Sequence, residues 1–409
     1  MENKNEFESM LRNLVALEES RLAQKDDSEF VSSEKEVLKQ IREAQDRLKI
    51  DPSLFTGVAD NIFTYEDPIL ALAAYMKDNA SEFTSEVYAA RGDGEELRNA
   101  SWWPWAKTLI HAWLTRGDRS YVLLGGRTPT ETVVFDKDEL RLAVTGDAGY
   151  KGTAQQNVLR MIKSRHSKDE FDLLIHLGDI YFAGSGNEML KNFLGPFMSV
   201  GPRVFTLLGN HDLYLGAEPY NDALNILHQP GRFFCIENEY WRIACLDTSL
   251  AAERFLRNEG LLDTAQLTWL YKLIDEAGGK GIILMSHHPV VSGWGSISAK
   301  LKHQLAPAID SGAIFAWYWG HEHGCATYEK ADCGFYGACV GNGAFSELWK
   351  APSREPSPSW HATSRCKCYS TESDFWPHGY LELSLHPTEM HEIYHLEGDQ
   401  TFKRILRRN

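Results

Sequence analysis

The chain has 409 residues, 43% of them hydrophobic and 24% charged, and carries a formal net charge of −15. That length allows two or three domains with a sizeable core and no need of disulfides. The acidic balance argues against a nucleic-acid partner, which needs a Lys/Arg footprint, but leaves room for a small phosphorylated substrate if metal ions supply the positive charge.

The N-terminus, MENKNEFESMLRNLVALEES, has no apolar signal core, and no stretch approaches the roughly 18 apolar residues of a membrane span. The expectation is a cytoplasmic protein, away from membranes, whose seven cysteines stay reduced. Residues 1–118 read as a helical domain. Phe7, Leu11, Leu14 and Val15 recur at helical spacing. Ser33 and Glu36 resemble a capping box, followed by Val37, Leu38, Ile41 and Leu48 on one face. Asp67-Pro68 opens another candidate helix. Trp102, Trp103 and Trp105 read as core or domain-interface anchors. This domain carries no catalytic motif and is open as a surface for a protein partner.

From residue 119 the texture changes. LRLAVTGD (140–147), FDLLIHLGD (171–179), RVFTLLGNHD (203–212), WRIACLDT (241–248), GIILMSHHP (281–289) and IFAWYWGHEH (314–323) each run apolar and then end in polar residues. Each predicts a buried strand that hands its last residues to a loop. Helical patterns at 154–166, 264–277 and 297–310 lie between them, so 119–409 predicts an α/β domain. Residues 346–378 read as a long loop or insertion, and 379–385 with 389–396 as a closing hairpin. Five cysteines (Cys325, Cys333, Cys339, Cys366 and Cys368) follow the last strand end, and their spacing fits ordinary thiols better than a zinc site.

In open α/β sheets, sites gather beyond the carboxyl ends of the strands. Here those ends carry Asp147, Asp179, Asn210-His211-Asp212, His287-His288 and His321/His323. Carboxylate, amide oxygen and imidazole together suit borderline ions such as Mn, Fe or Zn. One Gly-Asp alone is usually a turn; five such clusters in order are not explained by turn chemistry. Two cations held a few ångströms apart can bind a phosphate and activate a water for in-line attack.

The blocks GDAG (146–149), GDIY (178–181), GNHD (209–212), SHHP (286–289) and GHEH (320–323) resemble, in this order, the signature of calcineurin-like metallophosphoesterases. The resemblance covers about 119–345. It implies two β-sheets packed together, flanked by helices, with two metal ions at one edge. It implies that Asp179 bridges the metals, that Asp147 and His323 serve one, and that Asn210, His287 and His321 serve the other. His211 would stand over the phosphate as proton donor, with Asp212 orienting its ring. His288 would be a substrate contact. The implied activity is hydrolysis of a phosphomonoester or phosphodiester by a metal-activated hydroxide. The rival class is a non-catalytic binding module on the same fold; a retained His211 favours catalysis.

One departure stands out. Many family members have a metal-binding His at the place of Gly149. The purple acid phosphatase branch has Gly there and a Tyr ligand three residues after the bridging Asp. In this chain that place is Phe182, and Tyr181 stands one residue early. In an extended strand a one-residue shift turns the side chain to the other face, so Tyr181 is expected to miss the metal unless a bulge re-aims it. The first ion would then have three protein ligands, and the iron-loaded protein no purple band.

Overall fold

A computed structural model describes residues 132–181, 184–214, 216–252, 259–295, 297–345, 351–362 and 376–408. The helical domain expected over 1–118 lies outside these residues, as do Phe182, Cys366 and Cys368.

The described strands form two mixed sheets. The first has eight strands, in the order β1 (Thr132–Val134), β5 (Phe234–Glu237), β6 (Trp241–Cys245), β7 (Gly281–Ser286), β8 (Ile314–Trp319), β10 (Tyr336–Val340), β9 (Cys325–Tyr328) and β11 (Trp360–His361). The second has six, in the order β14 (Gln400–Arg407), β13 (Glu389–Leu396), β12 (Gly379–Leu385), β2 (Leu140–Thr145), β3 (Leu173–His176) and β4 (Arg203–Thr206). The strands that carry the polar ends run parallel within each sheet: β6, β7, β8 in one and β2, β3, β4 in the other. Their carboxyl ends therefore open on the same edge of their sheets.

Side-chain alternation sets the layers. Leu142, Val144 and Ile175 join Ile243, Met285 and Tyr318 in a core between the sheets. Their neighbours Ala143 and Leu174 instead pack with Val158, Ile162, Phe193 and Phe197 from the helices on the outer face of the second sheet. Leu246, Leu284 and Trp317 pack with Leu270, Leu273, Leu301 and Leu305 from the helices covering the first. Because both faces are buried, these strands read as continuous apolar runs rather than alternating ones. Each fully enclosed aliphatic side chain contributes about 1.5–3 kcal/mol.

The helix Thr264–Asp275 shows how the flanking layers are encoded. Asp263 caps it by accepting from the Gln266 backbone N–H at 2.8 Å. Leu267, Leu270, Leu273 and Ile274 then form its apolar stripe.

One polar network ties the sheets together. Glu392 on β13 accepts from Tyr318 on β8 at 2.6 Å and from Tyr394 at 2.7 Å, and pairs with Arg404 on β14. Arg404 reaches across to the first sheet and donates to the Gly337 carbonyl at 3.0 Å.

The expected hairpin is present as β12 and β13, but a third strand, β14, follows it. Its sequence QTFKRILR alternates charge with a single buried residue, Leu406, as an edge strand does. Within the expected insertion, Trp360 and His361 pair with Thr327 and Ala326 as a short added edge. Among the described residues no helix is long and apolar enough to cross a membrane. Cys235, Cys245, Cys325, Cys333 and Cys339 are free thiols, and none joins a group of metal-ligating side chains.

Candidate metal centre

Where the parallel strands end, the backbone turns sharply. Six non-glycine residues among those described have positive φ, and four of them are Asp147 (55°), Asp179 (72°), His321 (69°) and His323 (47°). Left-handed backbone costs about 1–3 kcal/mol at such residues and persists at functional sites. Here it re-aims side chains that a regular strand would send to opposite faces.

Asp179 lies at the middle. Its Oδ2 is 3.1 Å from the Tyr181 hydroxyl, and that hydroxyl is 2.9 Å from Asp147 Oδ1 and 2.8 Å from His323 Nε2. His323 Nε2 is 3.5 Å from Asp147 Oδ1. The other carboxylate oxygen, Asp179 Oδ1, lies 3.4 Å from His287 Nε2. That nitrogen is 3.0 Å from Asn210 Oδ1 and 3.2 Å from His321 Nδ1. The strand-end residues thus form two donor clusters that share one carboxylate.

The expectation for Tyr181 is overturned. Its side chain does not point away; its oxygen lies among Asp147, Asp179 and His323. The cause is the left-handed turn at Asp179, which breaks the strand alternation that the one-residue argument assumed. Gly149 makes room for that turn. It pairs with Ile180, and a Cβ there would lie 2.5 Å from Ile180 Cα and 2.6 Å from the Asp179 carbonyl. The Tyr181 N–H donates to the Gly149 carbonyl at 3.1 Å.

The expectation for Asp212 is overturned as well. Asp212 does not hold the His211 ring. Its oxygens accept from the backbone N–H groups of Gly209 (2.7 Å), Ile180 (2.7 Å) and Asp179 (3.2 Å). His211–Leu213 is a turn of 3-10 helix, in which successive side chains diverge by roughly 120°. Asp212 therefore fastens the loop after β4 to the loop after β3. Burial and the nearby Asp179 charge raise its carboxyl to about 7, against those backbone donors.

His211 Nε2 lies 4.0 Å from Asp179 Oδ2, and its ring packs on Tyr181 and Tyr214. His288 has no exposed surface. Its Nδ1 is 2.8 Å from the Thr248 hydroxyl, and its ring lies beside His287 and His321. Its ring faces the second donor cluster. His287, His288 and His321 indeed form one close group of ligand atoms, and Asp147, Asp179 and His287 another.

The electrostatics suit cations. Burial opposes ionisation of Asp179, but His287, His211 and His321 outweigh it and hold the carboxyl below its usual range. Burial, then the neighbouring His288 and His287, keep His321 well below the usual imidazole value, leaving a lone pair on its ring. Burial and the Asp147 and Asp179 charges keep the Tyr181 phenol protonated in the absence of a cation. Donors bound at about 2.1 Å to one ion and at right angles lie about 3 Å apart, which matches both clusters. The donor set fits two ions of borderline type.

Other supporting residues carry no sequence signal of their own. His176, at the end of β3, sits 3.3 Å from the Ala148 N–H and 3.1 Å from the Thr206 hydroxyl. Burial lowers it to about 3, so it stays a neutral prop beneath the Asp147 loop. Thr248 follows an apolar run as the clusters do, but its type does not mark it as a ligand.

Two stacked mixed sheets, with metal-ligating side chains at the ends of their parallel strands, define the metallophosphoesterase fold. The family assignment agrees: residues 140–325 match the family described as calcineurin-like phosphoesterase, and the chain carries a domain of that family. Solved structures similar to it include GAP50, the anchor in the inner membrane complex of Plasmodium. GAP50 is 15% identical over 67% of this chain and 90% of that one, with a TM-score of 0.51. A dimetal phosphatase from Danio rerio is 12% identical over 66% of this chain and 99% of that one, with a TM-score of 0.46. PhoD is 12% identical over 67% of this chain and 69% of that one, with a TM-score of 0.44. At 15% identity the likeness to GAP50 speaks for the fold alone. No curated protein matches the chain.

Proposed function

We propose that this chain is a hydrolase that splits a phosphate ester with two metal ions. The observation that carries the proposal is the division of Asp179: one oxygen faces Asp147, Tyr181 and His323, the other faces His287 and its partners Asn210 and His321. Asp147, Asp179, Tyr181 and His323 would hold one ion, and Asp179, Asn210, His287 and His321 the other, with Mn, Fe or Zn suited to the donors. Such ions, when bound, neutralise the phosphoryl oxygens and acidify a water. His211, next to the bridging carboxylate, stabilises charge on the phosphate and gives a proton to the leaving oxygen. Asp212 keeps the His211 turn and the Asp179 turn in register through their backbones. His288 steadies the His321 and His287 rings and itself leans on Thr248, as outer-shell partners of metal-binding histidines do.

The substrate is a small phosphorylated molecule, a monoester or diester, and the protein works in the cytoplasm. Residues 119–409 form the catalytic domain, and residues 1–118 a helical domain open to a protein partner. The retained His211 supports catalysis over a purely binding role, for which a proton donor has no use.

The test is turnover of nitrophenyl phosphate and bis(nitrophenyl) phosphate by protein stripped with a chelator and reloaded with Mn, Fe or Zn. Metal-dependent turnover by the wild type, absent in Asp179→Asn, is expected. Two bound ions with no turnover of either ester, or of any ester in a phosphate panel, would leave only the binding module.

A further inference from the structure

We infer that Asn192 and Gln155 are positioning residues for the first metal site, acting through the backbone of Tyr181; the inference rests on the reading of Tyr181 as a ligand. The Tyr181 side chain reaches the donor cluster only if the backbone leaving Asp179 is held in its turn. Two bonds hold it at Tyr181 itself. Its N–H donates to the Gly149 carbonyl at 3.1 Å, and its carbonyl accepts from Asn192 Nδ2 at 2.8 Å.

Asn192 is in turn held from the other side. Gln155 Nε2 donates to the Asn192 carbonyl at 2.5 Å and to the Ala148 carbonyl at 2.7 Å. Gln155 is 2% exposed and stands in the first turn of the helix Thr153–His166. One amide therefore spans the residue beside Asp147 and the residue that holds Tyr181. The two loops that supply Asp147 and Tyr181 are clamped to each other through it.

Asn192 sits in a π-helical run, Met189–Leu194, between the short helices Gly186–Glu188 and Gly195–Met198. The wider π turn is less favourable than an α turn, and such turns occur mostly at functional sites. Phe193 and Leu194 on the same run are buried in the core beneath the helices. The turn lets these two apolar side chains face inward while the Asn192 amide faces Tyr181. Asn and Gln suit the task because an amide N–H₂ donates to backbone carbonyls and carries no charge to compete for the cation.

The test uses the full chain loaded with ferric iron, read by its visible absorption per bound iron. A phenol oxygen bound to ferric iron gives a charge-transfer band whose position and strength depend on the Fe–O geometry. Wild type is expected to show the band and Tyr181→Phe to lose it. Asn192→Ala should shift or weaken the band and hold iron at the first site about five-fold less tightly, the worth of one hydrogen bond. Asn192→Gln, which keeps the donor, should recover part of the band. Asn192→Leu keeps about the size without the donor or a charge and should behave like Asn192→Ala, which covers the case in which the smaller residue does not fold. Gln155→Leu should shift the band in the same direction. An Asn192→Leu or Asn192→Ala spectrum identical to wild type at equal iron content overturns the positioning role. No band in the iron-loaded wild type instead overturns Tyr181 as a ligand, and the positioning role falls with it.

Discussion

Replacing Gly149 separates a reading from ligand patterns from a reading of the structure. By pattern alone, Gly149→His restores a metal ligand common in the family and should tighten the first site. The structure argues for the opposite result. Any Cβ at 149 would meet Ile180 Cα at 2.5 Å and the Asp179 carbonyl at 2.6 Å. These are backbone atoms, so no rotamer change relieves the overlap. Nor can the strand retreat freely, because Asp212 holds both the Asp179 and the Ile180 N–H. Relief needs a shift of about 1 Å in a segment fixed on two sides, which places the cost at the upper end of overpacking, about 3 kcal/mol. For a domain of about 290 residues that is roughly 5 °C in melting temperature. Gly149→Ala carries the same clash without an imidazole, so Ala and His should fall together. Both should also lose first-site iron, because the shift breaks the bond from the Tyr181 N–H to the Gly149 carbonyl. Thermal unfolding of the chelated proteins and metal analysis of the loaded ones read the two effects. A Gly149→His protein as stable as wild type, with more first-site metal, would refute the steric argument.

Four further outcomes are expected. Asp179→Asn should empty both sites together, since each carboxylate oxygen faces one cluster; metal analysis that finds one site still filled removes Asp179 as the bridge. His211→Ala should lose about 10²–10⁴ in turnover at nearly full metal content; loss of the metal would reassign it as a ligand. Glu382 is buried among Arg141, Arg165 and His395; burial opposes its ionisation, but bonds from His395, Arg165 and Arg141 bring it down to about 2 from an ordinary 4.5. A depressed carboxyl contributes stability that is full above its unfolded value and lost as pH falls through its folded one. The unfolding free energy from urea titrations should therefore fall between about pH 4.5 and 2, by about 1–2 kcal/mol after solvent screening of the partly exposed partners, and Glu382→Gln should flatten that stretch of the profile. Glu392→Leu should cost about 3–5 kcal/mol by stranding Arg404 between the sheets, and adding Arg404→Leu should restore part of it; strictly additive losses would show that the pair is not coupled.

The strand-end residues were legible because apolar runs stop abruptly at the carboxyl edge of the sheets, and because carboxylate, amide and imidazole recur there in a fixed order. The alternation of strands and helices made an α/β domain legible, and the two packed sheets came only from the resemblance that the ordered blocks carry. What the sequence hid was backbone geometry. Nothing in GDIYF announces a left-handed Asp179, so period-two reasoning sent Tyr181 to the wrong face. Nothing in GNHD announces a 3-10 turn, so the adjacent Asp212 was expected on the His211 ring. The π-helix that carries Asn192 left no period to detect, being one turn long. The edge strand β14 was hidden by its charge, since one buried leucine in eight residues gives no alternation to count.

The pairing of β2 with β12 also dictates when this domain can be finished during synthesis. Leu142 lies beside Leu383, more than half the chain away. A ribosome emits Asp147, Asp179, Asn210, His287 and His323 in turn, yet β2 keeps one unpaired edge until residues 379–385 leave the exit tunnel. That edge is apolar on the face of Leu140, Leu142 and Val144, the kind that captures strands from other chains. A nonsense codon between His323 and Gly379 thus yields a product with every proposed ligand and an open sheet. Such a product belongs to the chaperones rather than to catalysis.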